Sequence, residues 1–383
     1  MTLSRRATLV VLGGGMLCMA VAALGAIADP ERFFRAYLAG FSFWLGLGLG
    51  CLGVALIQFL TGGAWGLVTR RVFEAGAATL PLLGLLFVPI LFGVPTLYAW
   101  THSTEPSVIH KSLYLNIPFF VARAVVYFAV WSGLALLLGR WSAAQDRAEG
   151  AGATRRLRRL SVVGLLVLPL TASFAAIDWS MSLEPEWVST LYPAMVAMGQ
   201  LLASLALAIV VVTVLARRPP LSSLITPRLL NDLGSLLLAF VMLWAYMTYF
   251  QYVLIWSGNL SEEITWYVRR VEHGWLVVAW LVVGAGFLLP FWLLLFRGLK
   301  RRGRWLGSIA ALLLCVHVIE VLWLIQPAFT PDGPVLDWLQ PVVLLGIGGI
   351  WSAAFAWRLG ALPLVPPNDP RLVQIQERAH VAG

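Results

Sequence analysis

Charge is scarce in this sequence. Of its 383 residues only 12% are Asp, Glu, Lys or Arg, against about 25% in a soluble globular domain. A chain this poor in charge cannot clothe a water-facing surface, so the formal net charge of +9 does not mark a soluble nucleic-acid-binding domain. Cysteine is scarce too: Cys18, Cys51 and Cys315 stand alone in apolar runs. With no CxxC and no Cys/His metal spacing, no zinc site follows, and the three thiols read as small buried hydrophobes. Of His102, His110, His273, His317 and His380, only His317 falls clearly inside an apolar run. A bis-histidine haem b needs two histidines facing each other within the membrane, so cytochrome b and haem–copper oxidase cores are excluded. No GxxxxGK[ST], GxSxG or HExxH is present, and no ATPase, hydrolase or zinc-protease site follows.

Apolar residues make up 60% of the chain. They gather in runs of about 20 residues, the length an α-helix needs to cross a bilayer. Hydrocarbon offers the backbone no hydrogen-bond partner, so such runs must be helical. Ten are read, at about 7–28, 34–58, 79–100, 113–138, 160–177, 188–216, 232–257, 274–296, 304–325 and 338–358. The expected fold is an all-α polytopic membrane protein. The first run follows Arg5 and Arg6 and ends in small residues before Asp29, as a signal peptide does. Its long, uninterrupted apolar stretch favours a retained anchor, and its removal would leave nine helices.

The positive charges alternate by loop. Arg5, Arg6, Arg70, Arg71, the arginines from Arg140 to Arg159, Arg217, Arg218 and Arg228, the cluster from Arg297 to Arg304, and Arg358, Arg371 and Arg378 fall on one side. The other side holds only Arg32, Arg35, Lys111, Arg269 and Arg270. Cytoplasmic loops carry the excess of Lys and Arg, so both termini are expected in the cytoplasm. Along the chain this gives an anchor and outer loop (1–33), spans two to four (34–138), an Arg-rich cytoplasmic linker (139–159), spans five to nine (160–325), an outer loop with the tenth span (326–360) and a Pro-rich cytoplasmic tail (361–383). The linker is expected to be solvated and to touch anionic lipid.

The opposite loops are short and acidic, and tryptophans crowd them. The link "DWSMSLEPEW" between spans five and six is the densest case. Interfacial tryptophan is ordinary in membrane proteins, but translocation does not require the acids. Trp179, Glu184, Glu186, Trp187, Glu262 and Glu263 are therefore candidates for a surface that docks a partner.

Charged groups inside spans are costly and mark function or specific pairing. Arg123 lies in "LNIPFFVARAVVYFAVW", one to two turns below the acidic side. His317 and Glu320 lie in "LLLCVHVIEVLWL", three residues apart and so on one helix face. Asp178 ends the fifth span on the same side. Arg123 is expected either to pair with Asp178 or Glu320 and tie helices together, or to hold carboxylates ionised beside a proton path or quinone pocket built from Asp178, His317 and Glu320. The seventh span, "WAYMTYFQYVLIW", brings Tyr246, Tyr249 and Gln251 into an apolar helix, as internal hydrogen-bond partners or as a polar lane toward the acidic face. Asp232 at its inner start reads as an N-cap with Asn231 or as a proton entry. No single residue is assigned as catalytic, and no metal site is expected.

One resemblance is specific. "FAAIDWSMSLEPEWVSTLYP", "LTGGAWGLVTRRVFEA", "YAWTH", "YLNIPFFVARAVVYFAVW" and "NDLGSLLLAFVMLWAYMTYFQYVLIWSGNLSEEITWYVRR" resemble the second of the two large membrane subunits of alternative complex III. That bacterial quinol:electron-acceptor oxidoreductase is unrelated to the cytochrome bc complexes, and the subunit is of the polysulfide-reductase anchor (NrfD-like) type. The similarity is dense over about residues 60–275. It implies two four-helix bundles, spans two to five and six to nine, with two flanking helices. It also implies a bacterial cytoplasmic membrane location, an iron–sulfur protein and a multihaem cytochrome c as partners, and a sister NrfD-like subunit near which quinol is oxidised. Haem c and iron–sulfur clusters would belong to those partners; quinol is a substrate, and nothing is bound covalently by this chain. The expected function is that of a non-haem subunit supporting quinol oxidation, electron transfer to cytochrome c or an oxidase, and proton movement, catalytic only within the assembly. The alternatives are a stand-alone transporter or proton channel and a purely structural anchor.

Overall fold

A computed structural model describes residues 5–147, 151–335 and 337–369. Seventeen α-helices run through these residues: α1 (Arg5–Ala28), α2 (Pro30–Thr61), α3 (Ala64–Ala77), α4 (Leu80–Leu86), α5 (Val88–Leu97), α6 (Pro106–Ile109), α7 (Ile117–Arg147), α8 (Ala151–Trp179), α9 (Tyr192–Leu215), α10 (Leu221–Leu224), α11 (Pro227–Gly258), α12 (Ser261–Val271), α13 (Trp275–Val283), α14 (Leu289–Leu295), α15 (Arg297–Lys300), α16 (Gly303–Ile325) and α17 (Leu339–Gly360). A π-helical turn, Gly284–Leu288, joins α13 to α14. No strand occurs among the described residues. Nine helical stretches there are long and apolar enough to span a membrane, and a bent pair makes a tenth. The chain is a polytopic α-helical membrane protein.

The packing resolves two four-helix groups. In the first, α2 packs on α3 and α8, α8 on α7, and α7 on α4. In the second, α9 packs on α11 and α16, α11 on α14, and α13 on α16. The seam between them is the long α2–α9 contact, and α1 and α17 lie together as a flanking pair against α2. Helices in lipid gain nothing from excluding apolar surface, so close backbone approach by small residues holds them instead. At Gly50 a Cβ would lie 2.2 Å from the Gln200 carbonyl oxygen, and at Gly15 it would lie 2.8 Å from Gly349 Cα. Glycine at these points lets α2 touch α9 and α1 touch α17.

Helix starts follow local chemistry. The Asp29 side chain accepts from Arg32 N–H at 3.1 Å ahead of Pro30 at the first turn of α2. Thr226 accepts from Leu229 N–H at 3.2 Å ahead of Pro227 in α11. These are N-caps with proline in the first helical turn. Asp232 is thus not the cap expected for the seventh span: the helix begins five residues earlier, at the Thr-Pro pair, and Asp232 sits exposed on its second turn.

Two further departures have clear causes. The third span does not begin near 79. A helix already starts at Ala64, and the span breaks by 56° at Phe87, before Pro89. The Ile90 N–H turns back to Phe87 O at 2.9 Å, and the released Leu86 carbonyl accepts the Tyr37 hydroxyl at 2.7 Å. A freed backbone group at membrane depth requires such a partner. The linker stretch 139–159 is largely helical: α7 continues to Arg147 and α8 starts at Ala151, with Gln145 donating to Thr154 at 2.8 Å. Hydropathy ends the apolar run, but Ala, Arg and Gln are strong helix formers and carry the helices beyond it.

Candidate functional site

Buried charge collects at both ends of the helical bundle. At the acidic end, Arg123 on α7 meets Asp178 at the end of α8. Arg123 Nε donates to Asp178 Oδ2 at 2.8 Å and Nη2 to Oδ1 at 2.9 Å, and Nη1 donates to the Tyr114 carbonyl at 2.9 Å. Tyr127 donates to Asp178 Oδ2 at 2.8 Å. The guanidinium lies 3.8 Å from the Tyr114 ring centre and 4.4 Å from that of Phe119. Asp178 is fully buried and Arg123 nearly so. Of the two partners expected for Arg123, the structure selects Asp178 and leaves Glu320 to a separate site.

That second site lies between the bundles. His317 Nδ1 and Glu320 Oε2 are 2.8 Å apart on α16, and Trp244 on α11 donates its indole N–H to Glu320 Oε1 at 2.6 Å. The His317 ring stands 5.8 Å from Phe43 of α2. Gly199 of α9 lets the pair sit tight against that helix, since a Cβ there would lie 3.2 Å from His317 Cε1 and 3.3 Å from each Glu320 oxygen. Both side chains are buried, and His317 Nε2 has no hydrogen-bond partner among the described residues. His317 and Glu320 line a cavity of ≈ 60 Å³ walled by α2, α8, α9 and α16, where Trp179, Ser180 and Gln200 also contribute. They also border a smaller one of ≈ 10 Å³ toward Trp244 and Gly286. The first has room for a few water molecules, at roughly 10–15 Å³ each. Neither approaches the roughly 300–1,000 Å³ of a small-molecule site, so a quinone pocket does not fit at this pair and a water-sized site does.

The link 178–187 turns inward rather than outward. Trp179 is buried among Phe87, Tyr127, Phe128 and Trp131. Glu184 receives Arg269 Nη1 and Arg270 Nη1, each at 2.9 Å, while Arg270 Nη2 donates to the Leu324 carbonyl at 2.8 Å. Trp187 stacks on Trp266 at 4.7 Å between ring centres. Burial pulls the Arg270 guanidinium below its ordinary value, and the Glu184 charge works against that pull; arginine stays protonated throughout. Trp179 therefore packs within the first bundle, while Glu184 and Trp187 clasp the link to α12 beside the second. Of the six candidates for partner docking, Glu186 and Glu262 are exposed and Glu263 is partly so.

The tyrosines of α11 also diverge from the interior lane. Tyr246, Tyr249 and Tyr252 are 56%, 68% and 44% exposed on the outer wall of the bundle, and only Gln251 points inward, accepting from the Ser189 hydroxyl at 2.8 Å. At the basic end the structure adds a network not anticipated. Arg70 Nε donates to Glu74 Oε1 at 2.7 Å and Arg71 Nη1 to Glu74 Oε2 at 2.6 Å, both within the interior. Arg71 also pairs with Asp146 and donates to the Pro363 carbonyl at 3.0 Å, while Arg70 reaches Asp369 at 3.2 Å. The i,i+3 and i,i+4 spacing of Arg and Glu in "RRVFEA" is the signal that could have shown this. Among the described residues, no three His, Cys, Asp or Glu side chains converge as a metal ion requires.

Compared with protein-family models the chain matches none, and no curated protein matches it.

Proposed function

We propose that this chain is a non-haem integral membrane subunit of a quinol-oxidising respiratory complex of the alternative complex III type. It would sit in a bacterial cytoplasmic membrane with its basic end in the cytoplasm, and move protons for that complex. The resemblance of the motifs from residue 60 to 275 supports the assembly, and the His317–Glu320 pair supports the proton role. In this reading quinol is oxidised in the assembly, haem c and iron–sulfur clusters reside in partners, and Glu186 and Glu262 face them.

The observation that carries the proton role is a buried imidazole and carboxylate 2.8 Å apart beside a water-sized cavity, with His317 Nε2 unpartnered among the described residues. Histidine changes charge near neutral pH and serves as a proton shuttle. A proton taken at Nε2 allows the Nδ1 proton to pass to Glu320 Oε2. The Trp244 N–H fixes Oε1, so Oε2 stays aimed at the ring. Ionisable groups within a span are costly, which supports a functional reading of this pair.

The test is made on the assembled, membrane-bound complex. Glu320→Gln and His317→Gln each keep the side chain's bulk near its original size and remove its proton exchange. Quinol oxidation or proton release per electron is expected to fall about tenfold or more, with haem c content and subunit ratio unchanged. Full turnover and proton release in both variants would show the pair to be structural. A stand-alone transporter is the second reading, favoured by the 56° break in the third span, since broken helices line many transport sites. Here Tyr37 caps the freed carbonyl, which favours a fixed bend.

A further inference from the structure

A cavity of ≈ 820 Å³ opens at the basic end between α3, α7 and the end of α17. Its walls are small or apolar: Ala75, Ala78, Ala135, Gly139, Ala143 and Leu359. The space exists because α7 presents Ala, Gly and Ala at every fourth residue, and a Cβ added at Gly139 would meet nothing within 4 Å. Arg140, Arg147 and Arg358 line it as well. All three are exposed, and none forms an ion pair or hydrogen bond with a described residue. Arg71 and Glu74 also border the cavity, but each is already engaged in the buried network, where Arg70 and Arg71 face Glu74, Asp146 and Asp369. Leu136 on the same wall is 42% exposed, so the cavity has an apolar rim on the outer side of α7, a helix long and apolar enough to span a membrane.

We infer that this cavity binds one anionic phospholipid, its phosphate among Arg140, Arg147 and Arg358 and its acyl chains over Leu136 and the alanine wall of α7. A soluble anion would use only the arginines and leave the apolar wall wet; a zwitterionic lipid would use the wall and bring no net charge. Guanidinium groups match phosphate geometry, and basic pockets between transmembrane helices at the cytoplasmic side recognise acidic headgroups. The volume lies within the range of small-molecule sites. The inference rests on the membrane fold alone and stands whether or not the chain joins a respiratory complex.

The experiment is native mass spectrometry of the full chain released from detergent, titrated with dioleoyl phosphatidylglycerol, dioleoyl phosphatidylcholine and inorganic phosphate. One phosphatidylglycerol is expected to be retained in preference to phosphatidylcholine, with no displacement by millimolar phosphate. Arg140→Gln with Arg358→Gln should lower that retention about tenfold. Gly139→Leu should lower it likewise with every charge kept, because the new side chain fills the cavity. Arg301→Gln with Arg302→Gln, basic residues of the same end but outside the cavity, should leave it unchanged. Equal retention of the two lipids, displacement by phosphate, or full retention in the cavity variants overturns the inference. So does phosphatidylglycerol binding that arises only after residues 370–383 are removed, which would give the cavity to the chain's own tail.

Discussion

Arg123 and Asp178 hold each other through two parallel hydrogen bonds, Nε to Oδ2 at 2.8 Å and Nη2 to Oδ1 at 2.9 Å, between α7 and α8. The aspartate has no solvent exposure. Paired arginine and carboxylate in a fork are the strong form of ion pair, but the greater energy lies in what happens when one partner goes. A carboxylate left alone in the interior loses several kcal/mol. Arg123→Leu is therefore expected to destabilise the protein by about 3–5 kcal/mol. Arg123→Leu with Asp178→Leu should recover most of the loss. Thermal unfolding in a mild detergent reads both, and a double variant no better than the single would contradict this account of the pair.

The Trp244 indole controls how Glu320 faces His317. Trp244→Phe removes the 2.6 Å hydrogen bond to Oε1 and keeps most of the ring. A hydrogen bond to a charged group contributes about 1.5–3 kcal/mol, so the carboxylate should rotate or take up solvent. In the complex proposed above, proton-coupled turnover should drop severalfold while assembly holds. Unchanged turnover would mean that the indole does not orient the carboxylate.

Glu184 ties the link 178–187 to α12 through Arg269 and Arg270, and Arg270 reaches α16 through Leu324. Glu184→Gln should loosen this clasp without altering the helices. Hydrogen exchange in residues 180–191 should quicken while exchange in α2 and α9 stays slow. Equal protection of the link in both proteins would show that aromatic stacking of Trp187 on Trp266 alone suffices.

Gly50 marks the closest approach of α2 to α9, where a Cβ would fall 2.2 Å from a carbonyl oxygen. Gly50→Val must push the two bundles apart. Overpacking of this kind costs about 1–3 kcal/mol or more, and a fall in the melting temperature or in the yield of folded protein is the expected outcome. Gly133→Val, at a position with open space beside it, serves as the tolerated control.

Much of this architecture was readable from the sequence because its signals are local. Apolar runs found the spans, and a separation of three residues placed His317 beside Glu320 on one face. The pairing of Arg123 with Asp178 was open, because it depends on how α7 and α8 rotate about their axes. Tyr246 and Tyr249 were misplaced for a related reason: a helix in lipid is apolar on every side, so two hydroxyls do not say which side faces in. Glu184 and Trp187 read as a surface because their partners, Arg270 and Trp266, follow about eighty residues later. Arg70 and Arg71 read as a loop because hydropathy cannot see that Glu74 neutralises them in the interior.

The most direct test of the central claim is a mild-detergent pull-down of the full chain carrying a C-terminal tag, with a dithionite-reduced difference spectrum of the eluate and identification of the co-eluting proteins. Haem c absorbance together with an iron–sulfur protein and a second large polytopic subunit is the predicted result. A colourless, folded chain that elutes alone would contradict the claim and turn attention to transport by the isolated protein.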